Sequence, residues 1–401
     1  MRYGEIMKNE CVAILDIRSN EVTFLLGSKG VNGTFVIRGL HSEKYEGLCL
    51  NGFFDEDSFK KAVVRAISSV QQTYEGVIEE IYVGVPSSFV SVVTKGHTAS
   101  FYSKRKITAQ DVDALYESGL NDLMQQGRCI RRSAMYFTLG DNRKYFSAKD
   151  LYGVSTTMLK GALCYYFVSD YFYDFILDLF GNMGFSGVKF LPSTQAQATY
   201  LIPEKRREGY AFLLDIGFIT SSISVVYGNG IVHEESFNCG IASILVALMD
   251  TFEMEHTIAE EILSYANISG GTVPKELTYN SELSEKSFSV QKVNETIKCA
   301  LDELCERIDG FLRKHYKEKN TAFLTVNTMG VTGEGVSCIK GGAEHIAKRI
   351  GWLTEVVYPD LPYYDKPTCS SRIALLSTAL SERENMGWLQ RIFNFIGGKN
   401  R

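Results

Sequence analysis

Two stretches of this 401-residue sequence run through the same order of residue types. Residues 12–26 read VAILDIRSNEVTFLL, and residues 210–236 read YAFLLDIGFITSSISVVYGNGIVHEES. In each, an apolar run ends in Asp-Ile, at Asp16-Ile17 and Asp215-Ile216, and a short polar turn leads into a second β-rich run. A third run follows in both, at 34–40 and from Ile231 onward. Val, Ile, Phe and Tyr between Gly and Asn turns are the pattern of a β-meander. An acid closing a buried apolar strand costs desolvation unless something pairs it. The turn after the second acid offers backbone amides and hydroxyls at Gly217, Thr220, Ser221 and Ser222, a chemistry suited to holding phosphate. Two copies half a chain apart fit a duplicated α/β domain and not a solenoid, whose period is roughly 20–50 residues. Unrelated buried hairpins would share the strands. The repeated Asp-Ile and hydroxyl-bearing turn favours duplication.

Hydrophobic residues make up 45% of the chain and charged residues 22%, which is globular composition. A net charge of −5 gives no general affinity for nucleic acid. The nine cysteines include no CxxC pair and sit singly in apolar or helical stretches, as expected of reduced thiols in a cytosolic protein. The six histidines form no HExxH and no close Cys/His cluster. The first ten residues, MRYGEIMKNE, lack an apolar signal core. No apolar run reaches the roughly 20 residues of a spanning helix.

Helical spacing of apolar residues predicts helices at 55–74, 170–183, 193–201, 241–252, 257–266, 290–315, 343–350 and 370–381. Strands are expected at 78–85, 188–191, 323–327 and 352–357. Segment 269–289 reads as an exposed loop or hairpin. Between 87 and 161 the pattern changes to a small α+β insert, with strands at 90–93, 97–102, 133–139 and 144–146. Its helix opens at Thr108 with Asp111 three positions on, a variant capping box. Gly330, Gly333 and Gly335 follow the strand expected at 323–327. Such a turn lets backbone approach a nucleotide, and is equally an ordinary strand-to-helix turn.

Taken together, this order resembles the actin-like ATPase superfamily, with two related halves around a nucleotide cleft. Within it the chain looks FtsA-like, after the bacterial cell-division protein. The insert carries RKITAQDVDAL and SAMYFTLGDNRKYFSAKDLYGVSTTMLKG, residues 188–201 resemble the connecting helix, and the tail reads NMGWLQRIFNFIGGKNR. The resemblance implies a duplicated two-domain α/β fold of the actin-like, ribonuclease-H-like kind, with an FtsA-type insert and a C-terminal amphipathic helix. It divides the chain into a first core (11–86 and 162–201), the insert (87–161), a second core (202–240 and 321–381), an outer subdomain (241–320), and a linker with the membrane helix (382–401). It implies a protein that tethers FtsZ filaments to the inner face of the cytoplasmic membrane at the division site. The C-terminal peptide of FtsZ would dock on the outer subdomain, along the helix at 290–315. Charged residues there, including Arg307 and Arg313, otherwise read as a solvated face. Head-to-tail filaments are also implied. An active actin-like or chaperone-type ATPase and a pilus-assembly adaptor of the same superfamily are the other readings.

By the same resemblance, ATP with Mg²⁺ would lie between Asp16 and Asp215, the metal held through water. Arg18, Ser19, Asn20, Gly217, Thr220 and Ser221 would line the phosphates. Glu260 would meet the ribose, and Gly330, Gly333 and Gly335 the adenosine. The motifs depart from the family at several positions. Arg18 stands where a Gly is usual, Phe218 and Ile219 replace glycines, Ser222 replaces an acid, and Gln197 stands for a Glu. Leu263 replaces a Lys, and Glu334 the second Gly of a pair. Glycine gives close backbone approach that other residues do not, and the lost acids could have organised Mg²⁺ and water. Arg18 either meets phosphate charge directly or fills an empty site. Weak or absent hydrolysis is the expectation.

The tail carries its own signal. Residues 381–385 read as a short polar linker. After it Trp388, Leu389, Ile392, Phe393, Phe395 and Ile396 share one arc at helical spacing, opposite Gln390, Arg391 and Asn394. With Arg391, Lys399 and Arg401 as its only charges, such a helix lies in a membrane interface and is too short to span it.

Overall fold

The computed structural model describes residues 11–30, 34–123, 126–141, 143–269, 276–280, 285–316 and 328–397; for 276–280, 285, 286 and 385–397 it describes the backbone only. Strand β1 (Val12–Ile17) is buried at every position and forms a meander with β2 (Glu21–Lys29) and β3 (Phe35–Lys44). Helix α1 (Glu56–Gln71) starts at Asp55, whose carboxylate accepts from the Asp57 and Ser58 N–H groups, an N-cap. Strand β4 (Glu80–Val85) then lies parallel to β1.

The insert follows as β5 (Val90–Lys106), α2 (Ala109–Asn121), β6 (Arg128–Thr138) and β7 (Ser155–Val168), with β7 central in its three-stranded sheet. The capping box at Thr108 and Asp111 is formed. The two strands expected at 90–93 and 97–102 are one, because β5 pairs with β7 without a break from Val90 to Ser100 and again at Arg105 and Lys106. The stretch 144–146 makes only an isolated bridge, Phe137 to Tyr145.

Helix α3 (Asp170–Asn182) and strand β8 (Gly187–Pro192) return to the first sheet, whose order becomes β8-β4-β1-β2-β3. Helix α4 (Ser193–Leu201) leads to the second meander, β9 (Ala211–Ile216), β10 (Ser221–Tyr227) and β11 (Gly230–Phe237). Next come α5 (Ile241–Phe252), α6 (His256–Tyr265), the hairpin β12 (Glu276–Asn280) and β13 (Glu285–Ser289), and the long α7 (Val290–Tyr316). Strand β14 (Met329–Thr332) pairs parallel with β9, α8 (Gly342–Ile350) follows, β15 (Thr354–Val356) closes the sheet, and α9 (Ser370–Gly397) ends the described chain. The second sheet has the order β11-β10-β9-β14-β15, the same as the first read from its meander edge. Each sheet also carries a register shift between its second and third strands. The expected strand at 323–327 lies outside the described residues. Gly330, expected in the turn, is inside β14 opposite Leu213.

Alternation along β1 and β9 decides what each face meets. Ala13, Leu15 and Ile17 pack with Phe59, Val63, Phe172 and Ile176 of α1 and α3. Phe212, Leu214 and Ile216 pack with Leu304, Ile308 and Phe311 of α7 and Ile346 of α8. The other faces take helices from across the chain. Val12 and Ile14 meet Ile373, Leu375, Leu376 and Leu380 of α9, which follows the second sheet. Ala211 and Leu213 meet Ala198 of α4 and Ile202 just after it, on the helix that follows the first sheet. The stretch 321–381, expected in the second core, thus ends in a helix whose start packs on the first sheet.

The linker expected at 381–385 is corrected, because α9 continues through it without a break. Its polar residues are fastened to the body. Glu382 accepts from Arg131, Arg383 donates to the Cys11 carbonyl at 2.6 Å, and Glu384 pairs with Lys29 at 2.7 Å. Among the described residues, no helix is long and apolar enough to cross a membrane. Leu376 is fully buried and packs so closely that a Cβ on Gly27 would stand 2.6 Å from its Cδ1. Leu376→Ala is expected to cost about 2–5 kcal/mol in urea denaturation, as a cavity under α9.

Candidate functional site

Asp16 shares the face of β1 that carries Val12 and Ile14, and Asp215 shares the face of β9 that carries Ala211 and Leu213. Each acid therefore points at the helix contributed from the other half. The Ser371 hydroxyl, at the start of α9, donates to Asp16 Oδ1 at 2.5 Å. Gln197 Nε2, on α4, donates to Asp215 Oδ2 at 2.9 Å.

The turns after the two acids are equivalent: the Arg18 N–H donates to the Glu21 carbonyl at 2.9 Å and the Gly217 N–H to the Thr220 carbonyl at 3.1 Å. Their side chains are not equivalent. Arg18 crosses to the other half and grips Asp215 with two hydrogen bonds, Nη1 to Oδ2 at 2.6 Å and Nη2 to Oδ1 at 2.7 Å. Gly217 lies beside the guanidinium: a Cβ there would be in ordinary contact with Arg18 Nη2 at 3.6 Å but would crowd the Thr220 carbonyl at 2.4 Å. The Tyr45 hydroxyl donates to the Arg18 carbonyl at 2.6 Å and steadies the first turn. Ser19 Oγ accepts from the Ile219 N–H at 2.9 Å, a further bond between the halves. Gly333 closes the site from β14, with φ of 95°. Its missing Cβ is required there, since one would fall 2.2 Å from Asp215 Oδ1.

The two acids differ in charge state. Burial pushes both upward. At Asp215 the charge of Arg18 and the hydrogen bonds from Arg18 and Gln197 outweigh burial and hold the carboxyl below its ordinary value. At Asp16 burial prevails over Arg18, Arg372 and the Ser371 bond, so its carboxyl titrates above the ordinary value. Asp16 Oδ2 has no hydrogen-bond partner among the described residues. Burial opposes the Arg18 charge, but Asp215 more than restores it and raises its pKa.

Of the residues expected to bind nucleotide, Arg18, Ser19, Asp215, Thr220 and Ser221 line one cavity, with Gln197, Ser87, Ser193 and Thr194. Its volume is about 40 Å³, room for water and not for a phosphate chain. The Ser221 hydroxyl donates to the Cys239 carbonyl at 2.5 Å. Asn20 has its Oδ1 buried without a partner, and its carbonyl accepts from the Tyr45 N–H at 3.1 Å. Gly335 packs on Ile216, where a Cβ would stand 2.2 Å from Cγ2. Glu260 is exposed on α6 beside His256 and does not line the cavity. Both oxygens of Asp215 are taken, and among the described residues no group of three or more His, Cys, Asp or Glu side chains could hold a metal ion. In this arrangement the residues do not fit a magnesium–nucleotide. Of the two roles open to Arg18, the geometry is the one in which it fills the site.

Sequence reasoning missed Ser371 and Tyr45 and treated Gln197 only as a loss. A signal for Ser371 was present. Pro192-Ser193-Thr194 opens α4, and Pro367 with Ser370-Ser371 opens α9, so the duplication extends to the hydroxyl-led helices.

No protein-family profile and no curated protein matches this sequence. Solved structures do. A PilM–PilN type IV pilus biogenesis complex aligns with a TM-score of 0.60 at 12% identity, over 92% of this chain and 98% of that one. MreB 5 of Spiroplasma citri bound to AMPPNP aligns with 0.55 at 9% identity, over 96% and 99%. The ethanolamine utilization protein EutJ from Carboxydothermus hydrogenoformans aligns with 0.51 at 8% identity, over 92% and 89%. The chain has the actin-like two-domain α/β fold.

The equivalent acids should respond unequally to amidation. Asp215→Asn leaves Arg18 buried without its counter-charge and is expected to cost about 3–5 kcal/mol. Asp16→Asn keeps the acceptor for Ser371 and removes a poorly solvated charge, so the change at neutral pH should stay under about 1 kcal/mol. The stabilisation from Asp215 is present above the ordinary carboxyl value of 3.8 and is lost as pH falls through its lowered folded value. For Asp16 the sign reverses, and its cost shrinks as pH falls through its raised value. Urea denaturation of both variants across a descending pH series checks this.

Proposed function

We propose that this chain is an FtsA-like adaptor that joins FtsZ filaments to the inner face of the cytoplasmic membrane at the division site, without appreciable ATP turnover. The observation that carries the reading is the unbroken last helix. It starts in the cleft at Ser371, docks on the first sheet, and runs on through the stretch that holds Trp388, Leu389, Arg391, Ile392, Phe393, Phe395 and Ile396. Side chains from 385 on, together with Lys399 and Arg401, lie outside the described residues, so the membrane role rests on their pattern. Large apolar side chains on one arc with basic residues around them bind an interface. A single short helix binds reversibly, and head-to-tail assembly would strengthen it through avidity.

The insert and the outer segment 241–320 would make the protein contacts. Helix α7 buries Val293, Ile297, Leu301, Leu304 and Ile308 and keeps its charges outward. Some are engaged within the chain, as Arg313 with Asp309 and Lys314 with Glu235. Arg307 is exposed and is the charge proposed to meet the acidic part of an FtsZ C-terminal peptide. The Arg18–Asp215 pair argues against the active ATPase reading. A pilus-assembly adaptor is the second reading, supported by the likeness to the PilM–PilN complex.

Pulldown of FtsZ, with and without its C-terminal peptide, combined with liposome co-sedimentation, tests the proposal. Intact FtsZ should be retained and the peptide-less form lost. A chain ending at 385 should leave anionic liposomes while keeping its thermal transition. Retention on liposomes after truncation would make the tail structural and end the tether reading. Absence of both membrane binding and FtsZ binding would favour the pilus adaptor.

A further inference from the structure

We infer that Arg18 replaces a bound nucleotide as the tie between the two halves, so that the chain holds its cleft shut with no ligand. This goes beyond the adaptor reading and does not depend on which filament the chain binds. In a duplicated fold with a central cleft, a ligand that bridges the halves normally stabilises the closed form by its differential affinity. Here the chain's own atoms span the cleft from floor to rim. On the floor, Ser371 bonds Asp16 at 2.5 Å and Gln197 bonds Asp215 at 2.9 Å. In the middle, Arg18 holds Asp215 by two bonds and Ser19 receives the Ile219 N–H. At the rim, the Leu50 N–H donates to Asn238 Oδ1 at 3.0 Å and Ser236 Oγ to Ser87 Oγ at 2.7 Å. Ile219, where the family has glycine, reaches so close to Gly47 that a Cβ there would stand 2.5 Å from its Cδ1.

The chemistry of the central contact suits the exchange. A carboxylate at the end of a buried strand needs a cation, and a planar guanidinium supplies one as a fixed part of the chain with two parallel bonds. A magnesium ion would have to displace that grip and then find ligands among groups already bonded. A phosphate would meet Glu334 as well, which takes the place of a glycine and interacts with Arg18 across the site. The equivalent turn shows that the device is one-sided: Gly217 carries no side chain where Arg18 carries a long one that crosses to the other half. The open–closed equilibrium of this chain is then set by its own ion pair and by whatever binds its surface, not by ATP.

The test uses the full chain, wild type and Arg18→Gly, with and without millimolar Mg-ATP. Wild type should show the same Tm with and without Mg-ATP and no fluorescence response from a trinitrophenyl-ATP probe. R18G should lower Tm by about 4–6 °C and raise the radius of gyration in small-angle scattering as the halves part. A saturable rise in wild-type Tm with Mg-ATP would overturn the inference, since the cleft would then admit nucleotide despite Arg18. A folded R18G with wild-type Tm and radius would overturn it too, because the arginine would not be the tie. If R18G gives no folded protein, Arg18→Met is read in the same way, and the wild-type nucleotide arm stands by itself.

Discussion

The structure depends on a reciprocal exchange between its halves. Each sheet ends its first strand in a buried aspartate, and each aspartate is met by the opening or first turns of a helix that belongs, in chain order, to the other sheet. The exchange buries Ile373, Leu375 and Leu376 on one sheet and Ala198 and Ile202 on the other. Because the same helices carry apolar packing and the partner of an acid, neither sheet can be satisfied alone. An unpaired buried carboxylate would cost more than a lost hydrogen bond, so the polar contacts fix the register that the apolar ones merely favour.

On that symmetrical frame the chain breaks symmetry at the position after the Ile of each motif's Asp-Ile pair. Arginine stands there in the first copy and glycine in the second. The resulting pair is almost wholly buried, with side-chain exposures of 14% and 8%. Buried pairs of this kind are not reliable sources of net stability, but removing one member is costly. The pair therefore constrains which arrangement of the halves is tolerated more than it deepens the folded well. The same constraint leaves the actin-like fold intact while its cleft shrinks to the size of a water site.

Much of this was legible in the residues. The duplicated Asp-Ile motif located both meanders, both acids and the turn residues, because strand alternation and turn chemistry are local. The capping box at Thr108 was legible for the same reason. What escaped were relations between distant segments. Ser371 is 355 positions from Asp16, and no local pattern names its partner. The join between 381 and 385 was misread because charged residues suit an exposed linker and a helix surface equally well. Only the positions of Arg131, Cys11 and Lys29 decide between them. The departures Gln197 and Glu334 were visible only as departures, whereas in three dimensions Gln197 bonds Asp215 and Glu334 acts on Arg18 through its charge.

The unbroken last helix makes the tail a stiff rod and not a flexible leash. Twenty-eight residues at 1.5 Å each give a rod of about 42 Å, seated at one end beside Asp16 and braced partway along by Arg131, Cys11 and Lys29. A flexible linker would let the body tumble above whatever surface the tail rests on. A braced rod transmits one angle, so every copy on a flat sheet of lipid would present the same tilt and the same side outward. Neighbouring copies would then meet at a common tilt, and the shape of the surface beneath them would bear directly on how well their faces meet.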